Sequence, residues 1–141
     1  MRFWDASAIV PLAVREPTSD LVRGWLEEDP VLVTWAWTRV ELASAVERRS
    51  RQGQLSRQER RACLDLFSRL ARSWDEVVDL HSVRSLALAL LARHPLRAAD
   101  AAQLGAALLV AENNPASLTF VCLDEQLALA ADREGLGVLS S

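Results

Sequence analysis

The stretch LTFVCLDEQLALAADREGLGVL, residues 118–139, contains in succession the pattern of a strand, a helix and a second strand. Leu118–Leu123 is an apolar run of strand length with aromatic and β-branched residues. Glu125–Glu134 has the composition of a helix, and Gly135 is typical of the position just past a helix end. Val138–Leu139 predicts a short terminal strand. Strands that are joined by helices indicate a parallel sheet.

The same alternation extends over the rest of the chain. The predicted strands are, in chain order, Arg2–Trp4, Val31–Trp35, Glu76–Leu80, Leu118–Leu123 and Val138–Leu139. Three predicted helices are bounded by residue ranges: Thr38–Arg51, Arg97 to about Glu112, and Glu125–Glu134. Three others are recognised by a cap or a helix breaker and an apolar stripe. The first begins at Thr18–Asp20 and carries Leu21, Val22, Trp25 and Leu26; the second is capped by Ser56 and carries Cys63, Leu66, Phe67 and Leu70; the third carries Val83, Leu86, Ala87 and Leu90 and ends at Pro95. This order predicts a single α/β domain over residues 1–141, with helices on both faces of a parallel sheet.

Composition excludes several classes of function. All 16 basic residues are arginine, which excludes mechanisms that need a lysine amine, such as Schiff-base chemistry and P-loop phosphate binding. The five glycines form no nucleotide-binding motif. Two histidines and two separate cysteines, Cys63 and Cys122, make a zinc site improbable and are typical of a cytoplasmic protein with reduced thiols. The apolar stretch 86–92 is too short to cross a membrane, so no membrane association is expected.

The charge of the chain is unevenly distributed. The formal net charge is −3, yet the stretch from Arg48 to Arg61 carries six arginines against one acid, Glu59. Such a stretch is typical of a solvated helix face. It is also typical of a surface that binds phosphate or an acidic partner, and the sequence leaves both interpretations open.

Four acidic residues lie at or near the carboxyl ends of the predicted strands, where ligands bind in open parallel sheets. Asp5 and Asp124 directly follow strands, whereas Glu41 and Asp100 lie in the first turns of helices. Each has a structural explanation as well: Asp5 and Asp124 are good N-caps, and the helix dipole favours acids at the other two positions. If the sheet is parallel, all four are expected to meet at one edge.

The surroundings of these acids favour a shared site. Asp100 lies on the helix row of Leu104 and Leu108, and Glu41 lies among apolar residues. Buried carboxylates without a partner are costly, and several together raise one another's pKa. A hard divalent cation such as Mg²⁺ or Mn²⁺ removes this conflict and suits phosphodiester hydrolysis by activated water. Without these four acids the formal charge would be +1, so the acidity is concentrated in the predicted site.

Three further residues have two interpretations each. The hydroxyl of Ser7, two residues after Asp5, is predicted either to support the site as a metal or phosphate ligand or to make an ordinary hydrogen bond at a helix N-terminus. Trp35 and Trp37 are expected to flank the entrance of the site, where they either stack on RNA bases or pack in the core or a dimer interface. Trp4, Trp25 and Trp74 are assigned to packing.

Four segments resemble the PIN-domain family and, in size and layout, the VapC-type toxins of bacterial toxin–antitoxin pairs. These segments are FWDASAIV (3–10), TRVELASAV (38–46), LRAADAAQLGAAL (96–108) and FVCLDEQLALAADREGLGVL (120–139). The resemblance implies a three-layer α/β/α sandwich with a central parallel sheet of four or five strands. It also implies Mg²⁺- or Mn²⁺-dependent endoribonuclease activity that leaves 5′-phosphate and 3′-hydroxyl ends. In this resemblance Asp5, Glu41, Asp100 and Asp124 match the metal ligands, and Ser7 supports them.

The resemblance further implies a homodimer and a cognate antitoxin whose C-terminal segment wraps the toxin. One position departs from the family pattern, because the family usually has Thr or Ser two residues before the fourth acid and this chain has Cys122. A thiol is a poorer hydrogen-bond donor and a poor ligand for Mg²⁺.

Three functions are therefore considered: a metal-dependent endoribonuclease toxin, a catalytically silent PIN-like module that binds RNA or an antitoxin peptide, and another metal-dependent phosphohydrolase. The intact set of four acids favours the first over the second. The lack of lysine and of a phosphate-binding glycine loop disfavours the third.

Overall fold

The computed structural model describes all 141 residues. It contains five strands, seven α-helices and one 3₁₀ turn. The strands are β1 (Arg2–Trp4), β2 (Leu32–Trp35), β3 (Asp75–Val77), β4 (Thr119–Val121) and β5 (Gly137–Leu139). The helices are α1 (Ala6–Ala13), α2 (Ser19–Glu28), α3 (Thr38–Arg51), α4 (Arg57–Ala71), α5 (Leu80–Arg93), α6 (Ala98–Ala111) and α7 (Glu125–Arg133), and the 3₁₀ turn is Pro115–Ser117. None of the helices has the length and the apolar character that a bilayer span requires.

All five strands are parallel, in the order β3-β2-β1-β4-β5. The chain adds β2 and β3 on one side of β1 and then crosses to the other side to add β4 and β5. The strand order therefore reverses between β1 and β4, and the carboxyl ends of strands at such a point form a crevice in α/β sheets. Asp5 and Asp124 follow the two strands that border this point.

Alternate side chains of the strands pack into two separate cores. Phe3 and Phe120 stack with ring centroids 5.7 Å apart and belong to the core that α5, α6 and α7 cover. Trp4 and Val121 point to the opposite face and pack with residues of α1 to α4. One layer of helices thus covers each face of the sheet. The predicted three-layer α/β/α sandwich with a parallel sheet of four or five strands is confirmed, and the sheet has five.

The third strand differs from its predicted position. The apolar residues of Glu76–Leu80 suggested a strand there, but β3 spans Asp75–Val77 and α5 already begins at Leu80. Asp79 decides the boundary, because its carboxylate accepts the N–H of Ser82 at 3.1 Å and caps α5. Val78, between the two elements, is consequently 71% exposed.

Candidate metal centre

Asp5 is the most buried of the four predicted ligands. It extends β1 by donating its N–H to the carbonyl oxygen of Val121 at 2.9 Å, and its side chain caps α1 by accepting the N–H of Ser7 at 3.0 Å. The residue is only 4% exposed. Burial raises the pKa of its carboxyl to about 6, against the hydrogen bonds from Ser7, and the charges of Asp100 and Asp124 raise it further.

Glu41 points from the first turn of α3 toward Asp5. Its Oε1 accepts a hydrogen bond of 3.0 Å from Nε2 of Gln103, which reaches across from α6. The same amide donates to Oγ1 of Thr38 at 3.0 Å, so one side chain links the starts of α3 and α6. Burial raises the pKa of Glu41 to about 7, with further upward contributions from Asp5 and Asp100.

Asp100 and Asp124 complete the group from two other elements. Burial and the neighbouring charge of Asp124 raise the pKa of Asp100, while Arg97 lowers it. Asp124 is exposed and caps α7, with its Oδ1 accepting the N–H of Leu127 at 2.9 Å. The prediction that capping accounts for Asp124 is correct for this one oxygen, and Oδ2 accepts no hydrogen bond from the protein.

All four acids lie at the carboxyl edge of the sheet. Glu41, Asp100 and Asp124 line a cleft of about 990 Å³ together with Ser7, and Asp5 lies just behind Ser7. The pKa values of Asp5, Glu41 and Asp100 are raised mainly by burial and additionally by the charge of at least one other acid of the four. No three of these side chains converge closely enough to hold a metal ion as they stand.

The donor set fits a hard divalent cation. None of the ion pairs in the protein includes any of the four acids. Arg97 lines the same cleft without forming such a pair. A buried, unpaired carboxylate such as that of Asp5 is costly, and carboxylate oxygens are what Mg²⁺ and Mn²⁺ prefer. The chemistry of the four side chains therefore matches the cation that the sequence suggested.

Ser7 and Cys122 hold the loops of the site together. Oγ of Ser7 accepts the N–H of Leu123 at 2.9 Å, which ties the start of α1 to the loop after β4. Sγ of Cys122 lies 3.8 Å from Oδ2 of Asp5 and accepts the N–H of Asp124 at 3.3 Å. Burial raises the pKa of this thiol far above its usual range, so it is a neutral donor. The structure shows both residues in contact with the acids or their loops.

The two tryptophans near the site differ in position. Trp35 is buried in the core beneath α5 and α6, which confirms the interpretation of core packing for this residue. Its expected position at the entrance is wrong, because as part of β2 it points into the packed face of the sheet. Trp37 lies beyond the strand, lines the cleft and is 59% exposed. Trp4, Trp25 and Trp74 are buried, which confirms their assignment to packing.

Two residues of the site, Gln103 and Arg97, were not identified from the sequence. Gln103 is a polar residue one helical turn after Asp100 on an otherwise apolar helix, and this was an available signal. Arg97 immediately precedes α6 and lines the cleft. Arg48 also lines the cleft, and it belongs to the basic stretch that the sequence left open as a solvated helix face or a surface that binds phosphate.

Comparison with known proteins gives a family and a set of structural relatives. The sequence matches the model of a family described as PIN domain over residues 2–132. No curated protein matches the chain significantly by sequence. The crystal structure of FitAcB from Neisseria gonorrhoeae is similar, with 18% identity, a TM-score of 0.68, and coverage of 99% of this chain and 96% of that chain.

Two further solved structures are similar over the same range. PAE2754 from Pyrobaculum aerophilum has 21% identity and a TM-score of 0.64, with 99% of this chain and 87% of that chain covered. FitAB bound to an IR36 DNA fragment has 17% identity and a TM-score of 0.65, with 99% and 94% covered. At these identities the structural likeness shows a common fold.

Proposed function

The chain belongs to the PIN domain family, and from that premise we propose that it is a metal-dependent endoribonuclease that acts as the toxin of a toxin–antitoxin pair. PIN domains are generally nucleases, and the cleft of this chain has the acidic group that such an activity needs. RNA as the substrate, Mg²⁺ or Mn²⁺ as the cofactor and the cytoplasm as the location are parts of this proposal.

The observation that supports the proposal is the group of four carboxylates at one edge of the sheet, none of which forms an ion pair. Asp5, Glu41, Asp100 and Asp124 would hold the cation. When bound, the cation would lower the pKa of an attacking water and would compensate for the negative charge on the phosphate oxygens. No nucleophilic side chain is needed for hydrolysis of this kind.

The remaining residues of the site position these carboxylates. Gln103 holds Glu41 against Thr38, and Ser7 fixes the loop that carries Asp124 by accepting the N–H of Leu123. Burial raises the pKa of Glu41 to about 7, and a bound cation would favour the ionised carboxylate that binds it. The hydrolysis is expected to leave 5′-phosphate and 3′-hydroxyl ends.

A cognate antitoxin and a homodimer are the partners that we propose. The family resemblance suggests an antitoxin that inserts a basic side chain into the acidic cleft. The unpaired acids of the cleft are compatible with such a contact, because an arginine or lysine would neutralise part of the repulsion that a cation otherwise relieves. An antitoxin bound in this way would compete with the cation for the same carboxylates.

The direct test is incubation of the purified protein with total RNA in Mg²⁺, Mn²⁺ or EDTA, followed by mapping of new 5′ ends. We expect discrete cleavage sites that require the cation and disappear in Asp5→Asn and Asp100→Asn. Asp65→Asn, at an exposed acid on α4 outside the cleft, is the matched control and should cleave as the native protein does. Undiminished cleavage by Asp5→Asn or Asp100→Asn, or in EDTA, would contradict the proposal.

The alternative of a catalytically silent binding module has two observations in its favour. One carboxylate oxygen of Asp124 accepts the N–H of Leu127 in the cap of α7, and the four acids do not converge on one point. The same experiment separates the two functions, because a silent module would bind RNA or an antitoxin peptide and yield no new ends with either cation.

A further inference from the structure

One face of α3 lines the cleft over almost the whole length of the helix. Trp37, Glu41, Ser44 and Arg48 follow one another at spacings of three or four residues, and all four line the cleft. Side chains at such spacings lie on one side of a helix. From Trp37 to Arg48 the helix rises about 16 Å. The predicted metal ligand Glu41 thus lies between an aromatic group and a cationic group on a single straight wall.

Trp37 is the only tryptophan of the five that is exposed. It is 59% exposed, whereas the other four are at most 8% exposed. Val40, one turn further along the helix, is 46% exposed and also lines the cleft. In a cleft, an exposed indole offers a flat surface on which a base can stack.

Arg48 is the arginine of the basic stretch that faces the cleft without an ion-pair partner. Its neighbour Arg49 also lines the cleft but pairs with Glu16 at 2.6 Å, and Arg60 binds both oxygens of Glu47 at 3.0 Å. Arg48 is exposed and forms no ion pair. The basic stretch is therefore partly internally neutralised, and its free positive charge at the cleft lies at the end farthest from Trp37.

We propose that this face of α3 binds single-stranded RNA, with an unpaired base stacked on Trp37 and a phosphate on Arg48. The inference rests on the proposed function, and it names the two residues that would bind the RNA strand on either side of Glu41. Stacking on an indole needs a free base face, which a duplex does not offer. A strand that contacts both Trp37 and Arg48 passes Glu41, which lies between them on the same face of α3.

Binding of short RNA by the intact protein in EDTA tests this inference without cleavage. The ligand is a fluorescent single-stranded RNA octamer at low ionic strength, and the same octamer in a duplex is the comparison. Trp37→Leu should weaken binding of the single strand by about 5- to 100-fold. Trp37→Phe, which keeps an aromatic face, should restore most of it. Native protein should prefer the single strand over the duplex.

Arg48→Gln should lower the slope of log affinity against log salt by about 0.7, the value for one phosphate contact to a single strand. Arg39→Gln is the matched control, because Arg39 is an exposed arginine of the same helix that does not line the cleft. Nine residues separate it from Arg48, which places it about half a turn around the helix. This variant should leave the slope unchanged.

Quenching by acrylamide gives an independent readout of stacking. Since Trp37 is the only exposed tryptophan, it should account for most of the quenchable fluorescence, and the octamer should protect it. The inference is overturned if Trp37→Leu binds the octamer as native protein does, if duplex binds equally well, or if no RNA binds. Loss of cleavage in Mn²⁺ with this binding pattern intact would instead contradict only the proposed function.

Discussion

Asp5 has two roles that depend on the same carboxylate. It caps α1, and it is the deepest of the four acids in the cleft. Asn is as good an N-cap as Asp, whereas Ala is poorer by about 1 kcal/mol. The two roles can therefore be separated by substitution.

Asp5→Asn is expected to retain helix α1 and to lose RNA cleavage. Without a cation, the variant should be at least as stable as the native protein at pH 7.5, because it removes a buried charge that burial disfavours. RNA cleavage should disappear. Urea unfolding in EDTA measures the first effect, and Asp5→Ala, which also loses the cap, should be less stable than Asp5→Asn by about 1 kcal/mol. A markedly destabilised Asp5→Asn would show that its carboxylate stabilises the fold.

Gln103 is expected to determine how well Glu41 is placed. In Gln103→Leu, Glu41 loses its only side-chain hydrogen bond, and such bonds to charged groups contribute about 1.5–3 kcal/mol. The Mn²⁺ concentration for half-maximal cleavage should therefore rise about tenfold, with the maximal rate affected less. Gln126→Leu, at an exposed glutamine of the same cleft, is the control. An unchanged Mn²⁺ dependence in Gln103→Leu would contradict this role.

Single residues differ in how far the sequence predicts them. The four acids were identified because each follows a strand or begins a helix, and these are local signals. The role of Gln103 depends on the contact between α3 and α6, which no local pattern reveals. Trp35 and Trp37 have similar sequence surroundings, but Trp35 is buried and Trp37 is exposed because β2 ends at Trp35.

At the scale of elements, the close contact of α5 and α6 depends on Gly105. A Cβ atom at this position would lie 3.2 Å from the carbonyl oxygen of Val83 and 3.3 Å from the backbone nitrogen of Ala87. Both are backbone atoms of α5, which cannot move without displacing the helix. The small side chains of α6, noted from the sequence, are thus explained by a neighbouring helix.

Substitution of two helical glycines by alanine should have opposite effects. Gly24→Ala in α2 meets nothing within 4 Å and should stabilise the protein by about 0.5–1 kcal/mol. Gly105→Ala should destabilise it by about 1 kcal/mol or more, since the methyl group is forced against α5. Urea unfolding of both variants measures the difference. Equal stabilisation by the two substitutions would show that α5 and α6 separate at little cost.

The boundaries of elements were predictable where a cap is local and strong. Ser56 and Glu59 form a complete capping box at α4, as the choice of Ser56 suggested. The boundary of the third strand was not predicted correctly, because the apolar residues around Val78 resemble a strand although Asp79 caps the helix that follows. β3 is an edge strand of only three residues, which is too short to show a clear alternation of apolar and polar side chains.

At the scale of the whole molecule, the order of the strands brings the acids together. A parallel sheet was predictable from the alternation of strands and helices, but the order β3-β2-β1-β4-β5 was not, because it depends on which side each crossover takes. This order places β1 in the centre. Asp5 is thereby flanked by the ends of β2 and β4, and their following residues include Glu41 and Asp124.

Stability should depend on pH in a way that a cation reverses. The folded-state pKa values of Asp5 and Glu41, about 6 and about 7, lie above their ordinary values of 3.8 and 4.5. The folded protein then binds more protons than the unfolded chain between about pH 4 and 7, so the free energy of unfolding falls as pH rises. Asp5 alone contributes a loss on the order of 2–3 kcal/mol. Saturating Mn²⁺ should restore stability at pH 7.5.

Urea unfolding between pH 4.5 and 7.5, with EDTA or Mn²⁺, measures this dependence. In EDTA the decline should be smaller for Asp5→Asn than for the native protein, since the variant lacks one of the titrating groups. Other acids, including Glu47 and Asp79, have lowered pKa values and affect stability at lower pH. Stability in EDTA that rises steadily over this range would contradict the electrostatic description of the cleft.

The carboxylates of Asp5 and Asp100 come from separate parts of the chain and are proposed to hold one divalent cation together. Calorimetric titration with Mn²⁺ at pH 7.5 measures this directly for native protein, Asp5→Asn, Asp100→Asn and the control Asp65→Asn. We expect saturable binding to native protein and Asp65→Asn, and binding that is at least tenfold weaker in the other two. Equal Mn²⁺ affinity in all four proteins, or no binding to the native protein, would contradict this proposal.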